Sequence, residues 1–311
     1  MIGPDDVAQA ADRIRSHIRR TPVLRVAVGD LGLPFAVDLK LESLQHTGSF
    51  KPRGAFNSIL SANVPPAGVV AASGGNHGAA VAFAAAKLGV PARIFVPEMA
   101  GKTKIGVIRN AGVEPDVVAG AYADAFDASE IYQRHTGALS IHAYDAPGTL
   151  AGQGTLGIEI EDQIDGLDIL LIAVGGGGLI GGIVTWMANR VRIVGVEPRT
   201  AQALTAALAN GPDTDVEVSG AAANSLGASR IGRLPYEICV KHEIETVLVD
   251  DDAIRDAQRR LWSATRVLTE PGGAAALAAL TSGAFKAPAG ARVGVLICGG
   301  NSDPDPLAGP S

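Results

Sequence analysis

The chain has 311 residues, 26 of them Lys or Arg and 32 Asp or Glu, so it carries a formal charge of −6; 47% of it is hydrophobic and 4% aromatic. That balance lacks the basic footprint of a nucleic-acid binder and the aromatic platforms on which bases stack. It is also too apolar for a disordered chain, and its length corresponds to about two domains.

In chain order, Pro52 suits the first turn of a helix that runs on through Phe56 and Ile59. A buried strand is expected over 69–73, a helix over 79–88 ended by Gly89, and a strand over 92–96. Helices follow over 105–110, with Gly112 just beyond, and over 124–137. Tyr144-Asp145-Ala146-Pro147-Gly148 is a turn signal and a candidate domain boundary. Beyond it come a strand over 168–174, a helix over 179–189 and a strand over 192–196. Helices over 252–265 and 273–280 precede a last buried strand over 292–298, and Asp303-Pro304-Asp305-Pro306 reads as a loose tail. Continuous apolar strands alternating with helices predict an α/β fold, its parallel-rich sheets covered by helices on both faces.

No apolar run reaches the length of a membrane span. Met1-Ile2-Gly3-Pro4-Asp5-Asp6 lacks a basic region followed by an apolar core, so no signal peptide is expected. Two cysteines, Cys239 and Cys298, with no CxxC pair, exclude a disulfide framework and point to a reducing, cytoplasmic setting.

Ligands of α/β sheets sit where strands end and helices begin, and two such places are rich in glycine. One is Ser73-Gly74-Gly75-Asn76-His77-Gly78; the other is Gly175-Gly176-Gly177-Gly178, followed by Leu179. Glycine lets backbone approach a ligand closely, and the helix that follows offers free N–H groups and a partial positive charge. Two such sites suit two anionic groups, for example a phosphate and a carboxylate. Tight turns explain a single glycine pair equally well; four consecutive glycines after a buried strand favour function. A competing motif overlaps: Gly176-Gly177-Gly178-Leu179-Ile180-Gly181 satisfies GxGxxG, and Glu197 lies about 20 residues on, as in dinucleotide-binding folds. A nicotinamide-dependent oxidoreductase is therefore an alternative, and a cofactor-free binding or scaffold protein another.

Ser49-Phe50-Lys51-Pro52-Arg53-Gly54 separates these readings. Lys51 stands before a proline at a helix entry, on a constrained backbone. A lysine that forms a Schiff base needs such a fixed position and a lowered pKa, although a lysine judged alone is usually an ordinary surface residue. Nearly the whole chain then resembles one group in motif order. The run is Thr21-Pro22-Val23, Lys40-Leu41-Glu42-Ser43-Leu44-Gln45, Ser49–Ala55, Ser73–Gly78, Ala151-Gly152-Gln153-Gly154-Thr155, the tetraglycine, Glu270-Pro271-Gly272-Gly273-Ala274 and Cys298-Gly299-Gly300-Asn301. The sequence resembles the fold-type-II, pyridoxal-phosphate-dependent enzymes, specifically the serine/threonine dehydratase and serine racemase group.

The resemblance implies a two-domain, tryptophan-synthase-β-like fold. Residues 1–45 with 147–311 would form a large cofactor domain, and 46–146 a small substrate-loop domain. Lys51 would carry pyridoxal phosphate as a Schiff base and later act as general base. Phe50 would pack on one ring face and Gly227 leave room at the other; Asn76 would bond the ring hydroxyl. Gly175, Gly176, Gly177 and Gly178 with Leu179 would hold the phosphate. Ser73, Gly74, Gly75, Asn76 and His77 would hold the substrate carboxylate, His77 mainly through its backbone. Cys298 would be a neutral partner of the ring nitrogen, which favours β-elimination, and Glu270 would lie near the ring. Racemases of this group place a serine before the Gly-Asn-His triplet, where this chain has Gly74. That departure favours a dehydratase yielding a 2-oxo acid and ammonia over a racemase; a modified hydroxy amino acid is a further substrate option.

Cation-binding relatives use a Glu after the strand, a backbone carbonyl and a second carboxylate. Here Glu197 and the Ala201 carbonyl are followed by Ala203, so no metal is expected and Glu197 is read as structural. His46, like His77, neighbours the active segments; His17, His135, His142 and His242 show no ligand spacing, and Ser140, Ser219 and Ser282 lack a GxSxG context. No regulatory domain after the last strand is expected. A small amino-acid substrate, no nucleic acid, no membrane and, as the resemblance alone implies, a homodimer complete the expectations.

Overall fold

The computed structural model describes residues 2–187 and 189–302, without the side chains of 101–104; the tail predicted at 303–306 lies outside the described residues. The elements in order are α1 (Pro4–Ile14), β1 (Val23–Val26), β2 (Val37–Leu41), α2 (Lys51–Leu60), β3 (Val69–Ala72), α3 (Asn76–Leu88), β4 (Ala92–Pro97) and α4 (Gly101–Asn110). Then come β5 (Asp116–Val118), α5 (Tyr122–Thr136), β6 (Leu139–Ser140), α6 (Pro147–Gln163), β7 (Ile169–Ala173), α7 (Gly178–Met187) and β8 (Arg192–Pro198). The last are α8 (Ala203–Asn210), α9 (Ala223–Leu226), α10 (Arg233–Lys241), β9 (Glu245–Val249), α11 (Asp251–Thr265), α12 (Pro271–Thr281) and β10 (Val293–Ile297).

Two sheets form. The larger has the order β1-β2-β10-β7-β8-β9 and is parallel except where β1 pairs with β2. The smaller has the order β5-β4-β3-β6 and is parallel throughout. Every residue of β7 and of β10 is buried, as strands covered on both faces require. Helix α12 follows the same logic: all residues from Gly272 to Leu280 are buried, because its alanines let it sit inside the core against β7, β8 and β10. Each sheet has its own core. Leu170, Ile172, Val194 and Leu296 belong to the larger, and Val69, Ala80, Val81 and Ile94 to the smaller.

Helix α6 links the layers and has no simple sequence signal, because its four glycines lower helix propensity. Their role is close approach. A Cβ on Gly152 would stand 2.5 Å from the Arg53 carbonyl of α2, and one on Gly154 2.7 Å from the Gly182 carbonyl of α7. So α6 clamps the helix that begins at Lys51 to the helix that begins at Gly178.

Glu197 at the end of β8 is fully buried. Its carboxylate accepts from Leu204 N at 2.7 Å, Thr205 N at 2.8 Å and Thr205 Oγ1 at 2.6 Å. Burial raises its pKa to about 7, partly countered by these bonds to Thr205 and Leu204. Both oxygens are thus committed to the start of α8, and no ribose can reach them; the dinucleotide reading loses its acid. Glu197→Ala is expected to cost roughly 1–3 kcal/mol by stranding buried donors, which urea unfolding of the purified protein would measure.

Candidate active site

The tetraglycine turn joins β7 to α7. Gly177 has φ 87°, a left-handed value that suits glycine. The turn is roofed by Tyr144: a Cβ on Gly176 would overlap the Tyr144 ring, and one on Gly178 would lie 2.8 Å from the Tyr144 Cα. Because α7 begins at Gly178, its first amides have no partner within the helix. They stand at the positive end of the helix dipole, which suits a dianionic phosphate. Gly176→Ala must push Tyr144 away or shift the turn. It is expected to weaken pyridoxal-phosphate binding about tenfold, read by visible-absorbance titration.

Lys51 is itself the first residue of α2, one position ahead of Pro52, with Phe50 as N-cap. Its Nζ donates to the Ala143 carbonyl at 2.8 Å and lies 5.0 Å from the Phe50 ring centroid. Burial pulls the Lys51 pKa down to about 8, against the opposing pull of Cys298 and Glu270. The amine is therefore substantially neutral near pH 8, as a nucleophile and base requires. Cys298, buried at the end of β10, directs its thiol to the Gly272 carbonyl at 3.7 Å. Burial, aided by Glu270, pushes that thiol up to about 12, so it stays neutral. Asn76 opens α3, and its Nδ2 donates to Glu270 Oε1 at 2.6 Å.

Phe50, Lys51, Asn76, Glu270 and Cys298 line one pocket together with Gly175, Gly176, Gly177, Gly178 and Leu179. Tyr144, Ser225 and Leu226, which sequence reasoning did not single out, line it too. Only the turn signal at 144–148 hinted at Tyr144. Gly227 is not among the lining residues; a Cβ there would overlap the Ala223 carbonyl, so its bare Cα serves the turn that ends α9.

Ser73, Gly74 and Gly75 form the short turn from β3 into α3, which starts three residues earlier than expected, at Asn76. Ser73 Oγ accepts from Gly75 N at 3.1 Å. A Cβ on Gly74 would stand 2.5 Å from the Ala100 Cβ, so the position before the Gly-Asn-His triplet has no room for a side chain. The His77 ring does more than expected. It is buried, and its Nε2 lies 2.8 Å from the Ile141 carbonyl. Burial and then the nearby Lys51 charge lower its pKa to about 3, so the ring is neutral and Nε2–H donates to that carbonyl. Of the other histidines, His17 stacks on Phe56, His46 stacks on Phe83, and His142 Nδ1 accepts from the backbone of Tyr144 and Asp145.

The residues present fit pyridoxal phosphate: a desolvated lysine for an aldehyde, a helix start for a phosphate, and a neutral thiol with an oriented amide for the ring. Comparison with known proteins agrees. The family model described as pyridoxal-phosphate dependent enzyme matches residues 14–299. The L-threonine ammonia-lyase of Thermotoga maritima is 34% identical over 308 residues, 97% of this chain and 76% of that protein. The phenylserine dehydratase of Ralstonia pickettii is 35% identical over 302 residues, 96% of this chain and 92% of that one. The solved structure of maize serine racemase aligns with a TM-score of 0.88 at 32% identity, covering 97% of this chain and 94% of the other. Sheet topology, the lysine–glycine pocket and the span of the match converge: the chain belongs to the fold-type-II pyridoxal-phosphate-dependent enzymes.

Proposed function

We propose that the protein is an ammonia-lyase that eliminates the β-hydroxyl of L-serine or L-threonine and yields a 2-oxo acid and ammonia. Pyridoxal phosphate, when bound, supplies an aldehyde for the amino group and a ring that takes up charge from Cα. Lys51 would hold the aldehyde at rest, and its Nζ, poised near pH 8, would take the Cα proton once free. Gly175, Gly176, Gly177 and Gly178 with Leu179 hold the phosphate. Phe50 would support one ring face, and Asn76 would donate to the ring oxygen. The turn at Ser73, Gly74 and Gly75, with the first amides of α3 at Asn76 and His77, receives the substrate carboxylate.

Cys298 gives a chemical direction. A neutral thiol beside the ring nitrogen would not keep it protonated as a carboxylate would, and charge at Cα would be stabilised less. Proton removal is then best coupled to loss of a leaving group. The observation that carries the lyase reading is Gly74: it bears no acid, and the packing against Ala100 leaves no space for one. Ser73, one position earlier, has its Oγ engaged by Gly75 N. Racemisation needs such a second acid on the opposite face. A bulkier β-hydroxy amino acid is the second reading, favoured by the 35% identity to a phenylserine dehydratase.

The proposal includes a division into 1–45 with 147–311 and 46–146, which the separate buried clusters of the two sheets support, although Ile14 of α1 packs into a cluster of the smaller sheet. It includes a homodimer, as the resemblance implies, and a cytoplasmic setting, which the cysteine pattern suggests. Among the described residues no helix is long and apolar enough to cross a membrane. The test is product analysis with pyridoxal phosphate and a panel of L-serine, L-threonine and 3-phenylserine. A 2-oxo acid and ammonia in equal amounts are expected. D-serine from L-serine as the main product would contradict the lyase reading.

A further inference from the structure

Asn301 follows the last strand, and its hydrogen bonds give it a task. The Thr47 carbonyl can only accept, and it accepts from Asn301 Nδ2 at 2.7 Å. This turns the NH2 end of Asn301 inward, where the same nitrogen donates to Asn76 Oδ1 at 2.7 Å. The Asn76 oxygen is thereby claimed, and Asn76 Nδ2 faces Glu270 Oε1 at 2.6 Å. Asn301 Nδ2 thus donates both ways, to the Thr47 carbonyl and to Asn76 Oδ1, and Asn76 Nδ2 donates on to the carboxylate. The two amides are held between acceptors, and the Thr47 carbonyl decides which end of Asn301 turns inward.

The same residue is fastened to the approach to Lys51. Thr47 and Gly48 hold left-handed φ values of 57° and 74°. A Cβ on Gly48 would overlap Asn301 Oδ1. Gly300 N donates to the Gly48 carbonyl at 2.8 Å, and Phe50 N to the Cys298 carbonyl at 3.1 Å. Asn301 therefore spans from the turn leading into α2 to the first residue of α3, beside the end of β10.

We propose that Asn301 is a positioning residue: it sets the Asn76 carboxamide so that a nitrogen, not an oxygen, is offered on the pocket side. It also keeps that amide in register with the turn before Lys51. The inference rests on the reading that Asn76 meets the cofactor ring. Asn301 is exposed, so its loss leaves both cores intact.

The experiment compares Asn301→Ala, Asn301→Asp and Asn76→Ala, and the Asn76→Ala/Asn301→Ala double variant. It measures melting of the cofactor-free protein and pyridoxal-phosphate titration by visible absorbance. Asn301→Asp keeps the shape but has no donor for Thr47 or Asn76. Both Asn301 variants should melt within about 2 °C of the parent. Each should bind pyridoxal phosphate about tenfold more weakly, with a displaced absorbance band, and the double variant should bind no worse than Asn76→Ala. If Asn76→Ala weakens binding and the Asn301 variants do not, the proposal is overturned while the site reading stands. If Asn76→Ala leaves binding unchanged, the site reading falls and this inference with it. Melting lowered in both Asn301 variants by more than about 5 °C would assign Asn301 a structural role and also overturn the proposal.

Discussion

Lys51→Ala is expected to lower 2-oxo acid formation by about a thousandfold or more, because one substitution removes both the point of attachment and the general base. The loss should fall on kcat, since the groups assigned to the phosphate and the substrate carboxylate are untouched. The pH dependence identifies the group. Burial, opposed by Cys298 and Glu270, holds the Lys51 pKa at about 8 instead of the ordinary 10.5. Only the neutral amine attacks an aldehyde. Capture of pyridoxal phosphate by the cofactor-free protein should therefore accelerate as pH rises through about 8 and then level off. A solvated lysine would continue to accelerate towards its ordinary pKa. Stopped-flow absorbance across this range separates the two, and Lys51→Arg, which keeps a charge without a nucleophile, should show no capture phase.

Arg53→Ala is expected to destabilise the cofactor-free protein by about 3–5 kcal/mol, the range for removing one partner of a buried ion pair. Arg53 and Glu42 are both fully buried, with Nε at 2.6 Å from Oε1 and Nη2 at 3.1 Å from Oε2. Arg53 Nη1 also reaches Glu159 Oε1 at 2.9 Å, and Glu159 Oε2 accepts from the buried Lys40 at 2.6 Å. Burial alone would lower the Arg53 pKa, but Glu42 and Glu159 outweigh it and raise it. The four charges balance, and they tie β2, α2 and α6 together two residues from Lys51. Removing the guanidinium takes away the two hydrogen bonds it gives Glu42 and leaves that carboxylate in the interior with the Thr21 hydroxyl, which donates at 2.7 Å, and the attraction of Lys40. Glu42→Gln in the Arg53→Ala background should recover part of the loss, because the stranded charge disappears. Urea unfolding of the cofactor-free single and double variants measures both effects.

Much of this was legible in the residues. The strand–turn–helix units around 69–88 and 168–189 follow from apolar runs, glycines and capping chemistry, and the structure reproduces them within a few residues. Lys51 and the tetraglycine lie far apart in the chain, and only the resemblance to a known family joined them; the pocket brings them together. What escaped depends on tertiary contact. Helix α6 is glycine-rich because two other helices press against it, which no local propensity records. Tyr144 lines the pocket from a connector after β6, and its exposure and neighbours are set by the turn at 175–178. Glu197 stood at the right spacing for a ribose-binding acid, yet its oxygens cap α8. His77 was expected to act through its amide, but the ring ties α3 to the Ile141 carbonyl.

Borohydride reduction of the holoenzyme, followed by proteolysis and mass spectrometry, tests the central claim most directly. A single pyridoxyl adduct on the peptide containing Lys51 is the expected result. An adduct on another lysine, with Lys51 unmodified, would contradict the account.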